Sequence, residues 1–435
     1  MTMIHVTARP GGLALRASCA GGAGGARAAC PGPELHGADA AEGVARALAE
    51  LPRGAPVTAL VHGFRFDPDS PDNDPHAGLF HPADPRGWPA GLGHGAADPR
   101  AGLCIAFGWD ARGRGAPAAP GLPDVGLRDM DRPDLGLPDP GLPDTGRPHT
   151  GLPDTGLPTA EHPRCAPPRP ADPAGRIFPP GPAAPDRPGG LRAGLRHLAG
   201  AALRAAPDLG FARAWRRAEG AGAQLGALIE AVHDARPDLR VNLLAHSLGA
   251  RVALHALRAP GAGRAILLGA AVHAEEARRL MPPPRPAGQG GGPEVINVIS
   301  RRNDLFDLLF EAAAPAGRGG ARAALGRAGL GERRADWIDL QLDGPAQEAW
   351  LAARGHALGP APRLLCHWGF YERPGALALW AAMLRGGAAW APEALRRAGA
   401  PETVAPRWAA YAAAARRRPA GDATGAEEDW GDATA

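Results

Sequence analysis

The sequence predicts an α/β fold built on a doubly wound, mostly parallel sheet. Short apolar runs alternate with helical patterns along the chain, two adjacent runs near the start flank a turn sequence, and one run passes through a serine directly into a helix. Strands that alternate with helices pair in parallel, because each return to the same edge of the sheet needs a crossover. The 435 residues, of which 45% are hydrophobic, are enough to bury a sizeable core.

The N-terminal part predicts an antiparallel hairpin, a helix and two buried strands. Arg9-Pro10-Gly11 is a turn sequence that separates the hairpin strands. The expected elements are hairpin strands over 3–8 and 12–18, a helix over 38–51, and buried strands over 57–61 and 103–107.

The C-terminal part continues the same alternation. A long amphipathic pattern precedes the strand that leads into the serine, and the later apolar runs are each followed by helical spacing. The expected elements are a helix over 213–235, strands over 241–244, 264–268, 295–299 and 337–342, a closing helix over 374–386 and a helix near 402–418.

Residues 111–190 interrupt this pattern with a Pro- and Gly-rich repeat whose unit is Gly-Leu-Pro-Asp-x. A proline in nearly every unit excludes helix and central strand, so we expect a disordered insertion, with a docking segment or a mobile roof as the functional alternative. The predicted organisation is a first core part (1–110), the insertion (111–190), a second core part (191–387), and a C-terminal helix with an acidic disordered tail (388–435).

Composition excludes several classes of function. All 48 basic residues are arginine and the net charge is only +3, which gives no footprint for nucleic acid. No apolar run is long enough for a signal peptide or a membrane span. Five cysteines without C-x-x-C spacing indicate neither a disulfide framework nor zinc, and the acidic run 67–74 lacks the EF-hand pattern, so we expect no metal and a cytoplasmic location.

The serine that follows the strand at 241–244 has the spacing of a nucleophile elbow. Ala245-His246-Ser247-Leu248-Gly249 places small residues two before and two after Ser247, which lets a strand and a helix approach closely around a strained turn. The amide of Leu248 would then lie at a helix start, where an oxyanion can be held.

A serine hydroxyl needs a base to take its proton and a group that orients the base. Asp304 follows the strand at 295–299 and is the first candidate for the orienting acid, with Asp307 as its competitor and Asp339 and Asp343 flanking the last strand. Asp304 could instead cap the following helix. His367 is the candidate base, His356 is its rival, and His273 comes too early in the chain.

The strand at 57–61 runs into His62-Gly63-Phe64 and offers a second oxyanion donor. Gly63 permits a sharp turn, and the amide of Phe64 would point at the developing alkoxide together with that of Leu248. His62 is expected to brace this loop by hydrogen bonds rather than to move protons.

These residues, in the order His62-Gly63-Phe64, Ser247, Asp304 and His367, resemble the α/β-hydrolase superfamily, and the sequence His246–Val252 looks like lipase-like bacterial serine hydrolases. The resemblance covers roughly 1–110 and 190–386. Ala245 replaces the first glycine of the family motif, and the space between the strands at 264–268 and 295–299 is too short for a large cap domain.

The resemblance implies hydrolysis of a small-molecule carboxylic ester or thioester through an acyl-enzyme, without a cofactor. Ser247 would attack, His367 would act as base and then acid, and Asp304 would orient the imidazole. An acyltransferase on the same fold and a non-catalytic binding protein remain open, and the sequence does not decide the oligomeric state.

Overall fold

In the part of the chain that the structure describes, nine strands form a mixed sheet, which is the central element. The structure, a computed structural model, describes residues 3–16, 34–82, 84–94, 102–112, 210–283, 292–361 and 363–412. All of these belong to one compact unit. The predicted insertion, apart from its first two residues, and the predicted acidic tail lie outside the described residues.

The strand order confirms the predicted α/β class with a mostly parallel sheet that begins with an antiparallel hairpin. The order is β3-β2-β1-β5-β4-β6-β7-β8-β9; β2 pairs antiparallel with β1 and β3, and the other neighbours are parallel. The strands are β1 Met3–Arg9, β2 Gly12–Arg16, β3 Glu34–His36, β4 Val57–Val61, β5 Leu103–Gly108, β6 Val241–His246, β7 Ala262–Leu268, β8 Glu294–Ile299 and β9 Trp337–Gln341.

The helices expected over 38–51, 213–235 and 374–386 are present, the one expected near 402–418 begins only at residue 409, and several short helices are added. The helices are α1 Gly37–Ala49, α2 Trp88–Gly91, α3 Phe211–Ala235, α4 Gly249–Ala256, α5 Ala274–Leu280, α6 Asp304–Ala313, α7 Leu325–Ala328, α8 Pro345–Ala352, α9 Gly369–Glu372, α10 Ala376–Arg385 and α11 Pro392–Arg397. Of the helix expected near 402–418, residues 409–412 are helical, and the remainder beyond 412 lies outside the described ranges. The three-residue β3 and the one-turn helices are too short to leave a periodic pattern.

The central strands are buried on both faces, as runs of aliphatic residues require. In β4, Val57, Ala59 and Val61 join one hydrophobic cluster, whereas Leu60 joins the other. Successive side chains of a strand point to opposite faces, so one strand supplies both cores. The first cluster contains residues of α1, α3 and α4, and the second contains residues of α2 and α10.

The register of the parallel strands brings three loops to the same edge of the sheet. Val61 at the end of β4 pairs with Ala245, His246 pairs with Leu268, and Leu268 pairs with Val298. The chain that leaves β4 therefore lies beside the chain that leaves β6, and the loop after β8 is two strands away. Ligand sites of open α/β sheets form at this carboxyl edge.

Candidate active site

Ser247 occupies a strained turn between β6 and α4. Its φ is +55°, a left-handed conformation that costs a residue with a Cβ roughly 1–2 kcal/mol. The turn is held because the Ser247 amide donates to the Leu268 carbonyl at 2.9 Å and the Ser247 carbonyl accepts from the Ala271 amide at 3.0 Å. The side chain is 5% exposed. A positive φ at the serine is the conformation expected of a nucleophile elbow.

Two glycines make room for this turn. A Cβ on Gly249 would lie 2.6 Å from the carbonyl oxygen of Val61, and a Cβ on Gly63 would lie 2.7 Å from Ser247 Cβ and 3.3 Å from its Oγ. Atoms this close cannot be accommodated without moving the backbone. The loop after β4 therefore touches the serine directly, and only glycine fits at both positions.

The elbow helix α4 is held in place from its far side. Gly222 of α3 allows close packing, since a Cβ there would lie 2.5 Å from His255 Cβ. Arg251 of α4 is buried; its guanidinium donates to Glu276 at 3.0 Å and to the Trp215 carbonyl at 2.6 Å, and lies 4.3 Å above the Trp215 ring. Its charge is thus paired, as burial of an arginine requires.

The two predicted oxyanion donors, the amides of Phe64 and Leu248, lie on either side of Ser247. Leu248 is the residue before α4, and Phe64 follows Gly63 in the loop after β4. Within the described part of the chain, neither amide donates a hydrogen bond. Free amides at the start of a helix attract an anion. This pair can therefore receive a negatively charged oxygen.

His62 braces the loop, as predicted. Its Nδ1–H donates to the Gly63 carbonyl at 2.9 Å, and its Nε2 accepts from the Trp109 amide at 3.0 Å. The ring stacks on the Trp109 indole with centroids 5.7 Å apart. Complete burial lowers the pKa of His62 to about 4, so the ring stays neutral and structural.

His367 is oriented by an amide instead of a carboxylate. Its Nδ1 lies 2.7 Å from Oδ1 of Asn303, the last residue of a 3₁₀ turn between β8 and α6. An amide oxygen can only accept, so Nδ1 carries the proton and Nε2 is left as the acceptor. Asn303 in turn donates from Nδ2 to Oδ1 of Asp307 at 3.0 Å.

Asp304, the acid expected beside His367, points elsewhere. Its side chain accepts from the Trp408 amide at 2.6 Å and pairs with Arg301 at 3.2 Å, and it is fully buried. Nor does it cap the helix, because Asp304 is the first residue of α6. The physical reason is direction: one helical step turns a side chain by about 100°, so Asn303 and Asp304 face different neighbours.

The remaining candidates have structural partners. Asp339 accepts from Asn297, Trp337 and the Leu330 amide. Asp343 accepts from the Ser300 hydroxyl and the amides of Arg301 and Arg302. His273 bonds to the Pro315 carbonyl, and the ring of His356 lies against Trp390.

Aromatic rings surround the half-buried imidazole of His367. Phe306 stacks on it with centroids 4.7 Å apart, Trp368 meets it edge-on at 5.6 Å, and His246 lies 4.4 Å away. His246 also donates from Nε2 to the His367 carbonyl at 2.9 Å. Burial, reinforced by His246, holds the pKa of His367 well below its usual value, so the imidazole is neutral near pH 7.

The structure therefore joins the predicted residues in two groups. Ser247, Phe64 and Leu248 converge at the ends of β4 and β6, and His367 is linked to the elbow through His246, the residue directly before Ser247. Among the described residues, Ser247 Oγ makes no hydrogen bond. Catalytic hydrogen bonds are often long without substrate and tighten when it binds.

Sequence reasoning missed Asn303, His246 and Phe306. A carboxylate is the usual orienting group for a catalytic histidine, whereas Asn303 stands directly before Asp304 in the chain. His246 is adjacent to the nucleophile in the motif itself, and Phe306 is separated from Asp304 by one residue. Their adjacency to recognised residues was the available signal.

Other types of site are not indicated by the described residues. Within the described ranges, no group of three or more His, Cys, Asp or Glu side chains is arranged to hold a metal ion. No helix in these ranges combines the length and hydropathy needed to cross a membrane. Comparison of the chain with protein-family models, curated proteins and solved structures finds no match.

Proposed function

We propose that this chain is an α/β-hydrolase that cleaves a carboxylic ester or thioester through an acyl-enzyme on Ser247. One observation carries the proposal: Ser247 is held at φ +55° against the Gly63 loop, with the unpaired amides of Phe64 and Leu248 beside it. A strained serine next to two free donors fits the attack and charge-holding steps of acyl transfer.

Each residue then has a defined step. Ser247 Oγ attacks the substrate carbonyl carbon, and its proton passes to His367 Nε2 as the carbonyl oxygen becomes an oxyanion. The amides of Phe64 and Leu248 donate to that oxyanion. When the carbonyl reforms, the bond to the leaving oxygen or sulfur breaks, and His367 returns the proton to it. Water then attacks the acyl carbon while His367 Nε2 takes its proton; the bond to Ser247 Oγ breaks, His367 returns the proton to Oγ, and the acid is released.

Asn303 orients His367 without adding a charge. The Nδ1–H tautomer is the productive one because it leaves the Nε2 lone pair free toward the serine. A carboxylate would also stabilise the imidazolium that forms, which an amide does less well. We therefore expect slower turnover than from a site with an aspartate. An orienting amide is also found in Cys-His-Asn sites, where the asparagine performs the same role.

A non-catalytic binding protein is the second candidate, favoured by the lack of a hydrogen bond on Ser247 Oγ and by the amide beside His367. An acyltransferase would use the same residues with an alcohol in place of water; product analysis with and without an alcohol acceptor distinguishes it.

The buried, unpaired Cys104 and Cys366 agree with a reducing cytoplasm as the compartment.

The deciding experiment is covalent labelling by a fluorophosphonate, which needs an activated serine and an oxyanion hole but little of the natural substrate. We expect the wild type to be labelled and Ser247→Ala to be silent. Ser300→Ala is a matched control, because Ser300 is also buried but donates to Asp343. The proposal would be contradicted if Ser247→Ala were labelled as strongly as the wild type, or if the folded wild type were not labelled.

A further inference from the structure

The residue behind Asn303 is a buried carboxylate that the proposed reaction does not use. Asp307 lies one turn along α6, is 2% exposed, and accepts from Asn303 Nδ2 at 3.0 Å through Oδ1. Its other oxygen, Oδ2, has no hydrogen-bond partner among the described residues. Burial without full satisfaction costs free energy, so this placement calls for a reason.

We propose that Asp307 is a positioning residue that fixes which end of the Asn303 amide faces His367, and thereby the tautomer of the imidazole. The inference rests on the proposed function, since it assigns a role within the same site. It adds a third member, Asp307, to the chain of hydrogen bonds that begins at His367 and continues through Asn303.

The chemistry of an amide makes such a fixing group necessary. Asn303 presents an oxygen at one end and an NH₂ at the other, and the two ends have nearly the same shape. If the amide turned over, NH₂ would face His367 Nδ1, which would then have to accept, and the proton would move to Nε2. A protonated Nε2 cannot take the serine proton, so half of the amide orientations are unproductive.

An ionised carboxylate at Asp307 removes the wrong orientation. It can only accept, so it pairs with the NH₂ end of Asn303 and directs the oxygen end at His367. A protonated carboxyl could also donate its O–H to the oxygen end, so the ionised form is the one that discriminates. An aspartate at 303 would place a second carboxylate against it, which the like charge disfavours.

Asp307 is itself held from several sides. Gly326 of α7 packs against it, and a Cβ on that glycine would collide with the carboxylate, 2.8 Å from Cγ. The charged groups that act on it are Arg301 before α6, Asp304 and Glu311 on α6, and Arg407 near the end of the described chain. Its position is therefore set by packing as well as by charge.

The test compares three variants of the full chain. Asp307→Leu has the same branching at Cγ but removes the acceptor, Asp307→Asn offers an amide to Asn303, and Asp304→Asn is the matched control. Asp304 is an equally buried carboxylate three residues away, which contacts Arg301 and the Trp408 amide instead of Asn303. Each variant is measured by the rate of fluorophosphonate labelling and by ¹⁵N NMR of the His367 ring.

We expect Asp307→Leu to slow labelling about 10- to 100-fold, as for a small misplacement of a catalytic group. The ¹⁵N spectrum should show the His367 proton shifting from Nδ1 toward Nε2. Asp307→Asn, whose amide can present either its oxygen or its NH₂ to Asn303, should recover only part of the rate, and Asp304→Asn should keep both the rate and the Nδ1–H signal. If Asp307→Leu does not fold, Gly326→Ala, which presses on the same carboxylate, should show the same tautomer change.

The NMR readout separates this inference from the proposed function. The role of Asp307 is overturned if the Nδ1–H signal is unchanged in Asp307→Leu, even if the wild type is labelled. Where Asp307→Leu does not fold, an unchanged signal in Gly326→Ala has the same meaning. A wild type that is not labelled overturns the proposed function, while the tautomer measurement still decides whether Asp307 fixes Asn303.

Discussion

The serine region and the histidine region of the candidate site are built on different principles. Around Ser247 the backbone fixes the geometry. Ser247 has a positive φ, a Cβ on Gly249 would lie 2.6 Å from the Val61 carbonyl oxygen, and Gly63 of the loop after β4 packs against the serine. Around His367 side chains decide, through hydrogen bonds from the imidazole to Asn303 and from Asn303 to Asp307.

The difference lies in what each region tolerates. A backbone turn restricts residue types at fixed spacing, so a substitution fails by collision. A chain of side-chain hydrogen bonds restricts donors and acceptors, so a substitution of the same shape can preserve or reverse its function. We expect activity to fall steeply when atoms are added in the serine region. In the histidine region we expect it to fall when a hydrogen-bond donor or acceptor is replaced by a group of similar shape.

The largest effect should come from adding one methyl group to the serine region. Gly63→Ala would place a Cβ 2.7 Å from Ser247 Cβ and displace the Phe64 amide. Loss of one oxyanion donor costs about 10²–10³ in rate. We expect labelling to fall by at least that factor with the circular dichroism spectrum unchanged. Gly220→Ala in α3, where a Cβ would meet nothing within 4 Å and the backbone is helical, is the matched control. A Gly63→Ala rate near that of the wild type would contradict direct contact between loop and serine.

The histidine region is tested by two neighbours of similar size. Asn303→Leu removes the acceptor for His367 Nδ1 and should slow labelling about 100-fold, because the imidazole loses its orientation. Asp304→Asn should change the rate less than threefold, since Asp304 bonds to the Trp408 amide. Labelling rates of the two variants, compared with wild type, give the answer. The reverse ranking would restore Asp304 as the orienting group.

The buried carboxyl of Asp307 predicts a pH effect on stability. Burial raises the pKa of Asp307 to about 7, against about 3.9 in an unfolded chain. The folded protein therefore keeps a proton that the unfolded chain releases, so this contribution is complete below pH 4 and is lost as pH rises toward 7.

Urea unfolding at pH 4.5 and pH 8 measures this contribution. On going from pH 4.5 to pH 8, the unfolding free energy of the wild type should fall by more than about 1 kcal/mol beyond any fall seen in Asp307→Asn, because one pKa unit corresponds to about 1.4 kcal/mol. Asp307→Asn serves as the reference because its side chain cannot ionise. Asp304, with a pKa raised to about 6, is common to both proteins, so its contribution largely cancels. Equal losses in the two proteins would show that Asp307 ionises normally.

The smallest expected effect isolates the strain at the serine. Both Ser247→Ala and Ser247→Gly remove the hydroxyl, but only glycine lacks the Cβ that disfavours φ +55°. Ser247→Gly should therefore be more stable than Ser247→Ala by about 1 kcal/mol, measured by urea unfolding. Greater stability of the alanine variant would mean that the turn is not strained.

The sequence predicts the sheet and the serine region well because both depend on spacing. The strand Val57–Val61 is observed at its predicted bounds, since an aliphatic run between turn residues leaves little choice of ends. The approach of Gly63 and Gly249 to the elbow follows from residue size. The histidine region is predicted less well: His367 lies where the chain order suggests, but the choice of Asn303 over Asp304 depends on side-chain direction, which no spacing specifies.

The bond from the Trp408 amide to Asp304 has a consequence for the order in which the protein is made. Together with the ion pair between Arg407 and Glu311, it fastens α6, the helix that follows Asn303, to a segment synthesised a hundred residues later. During translation the elbow strands emerge first, while the partners of α6 are still inside the ribosome. The partners that hold the Ser247 turn, Leu268 and Ala271, are thus synthesised well before the segment that anchors α6, so the serine turn can form before the helix after Asn303 is fixed.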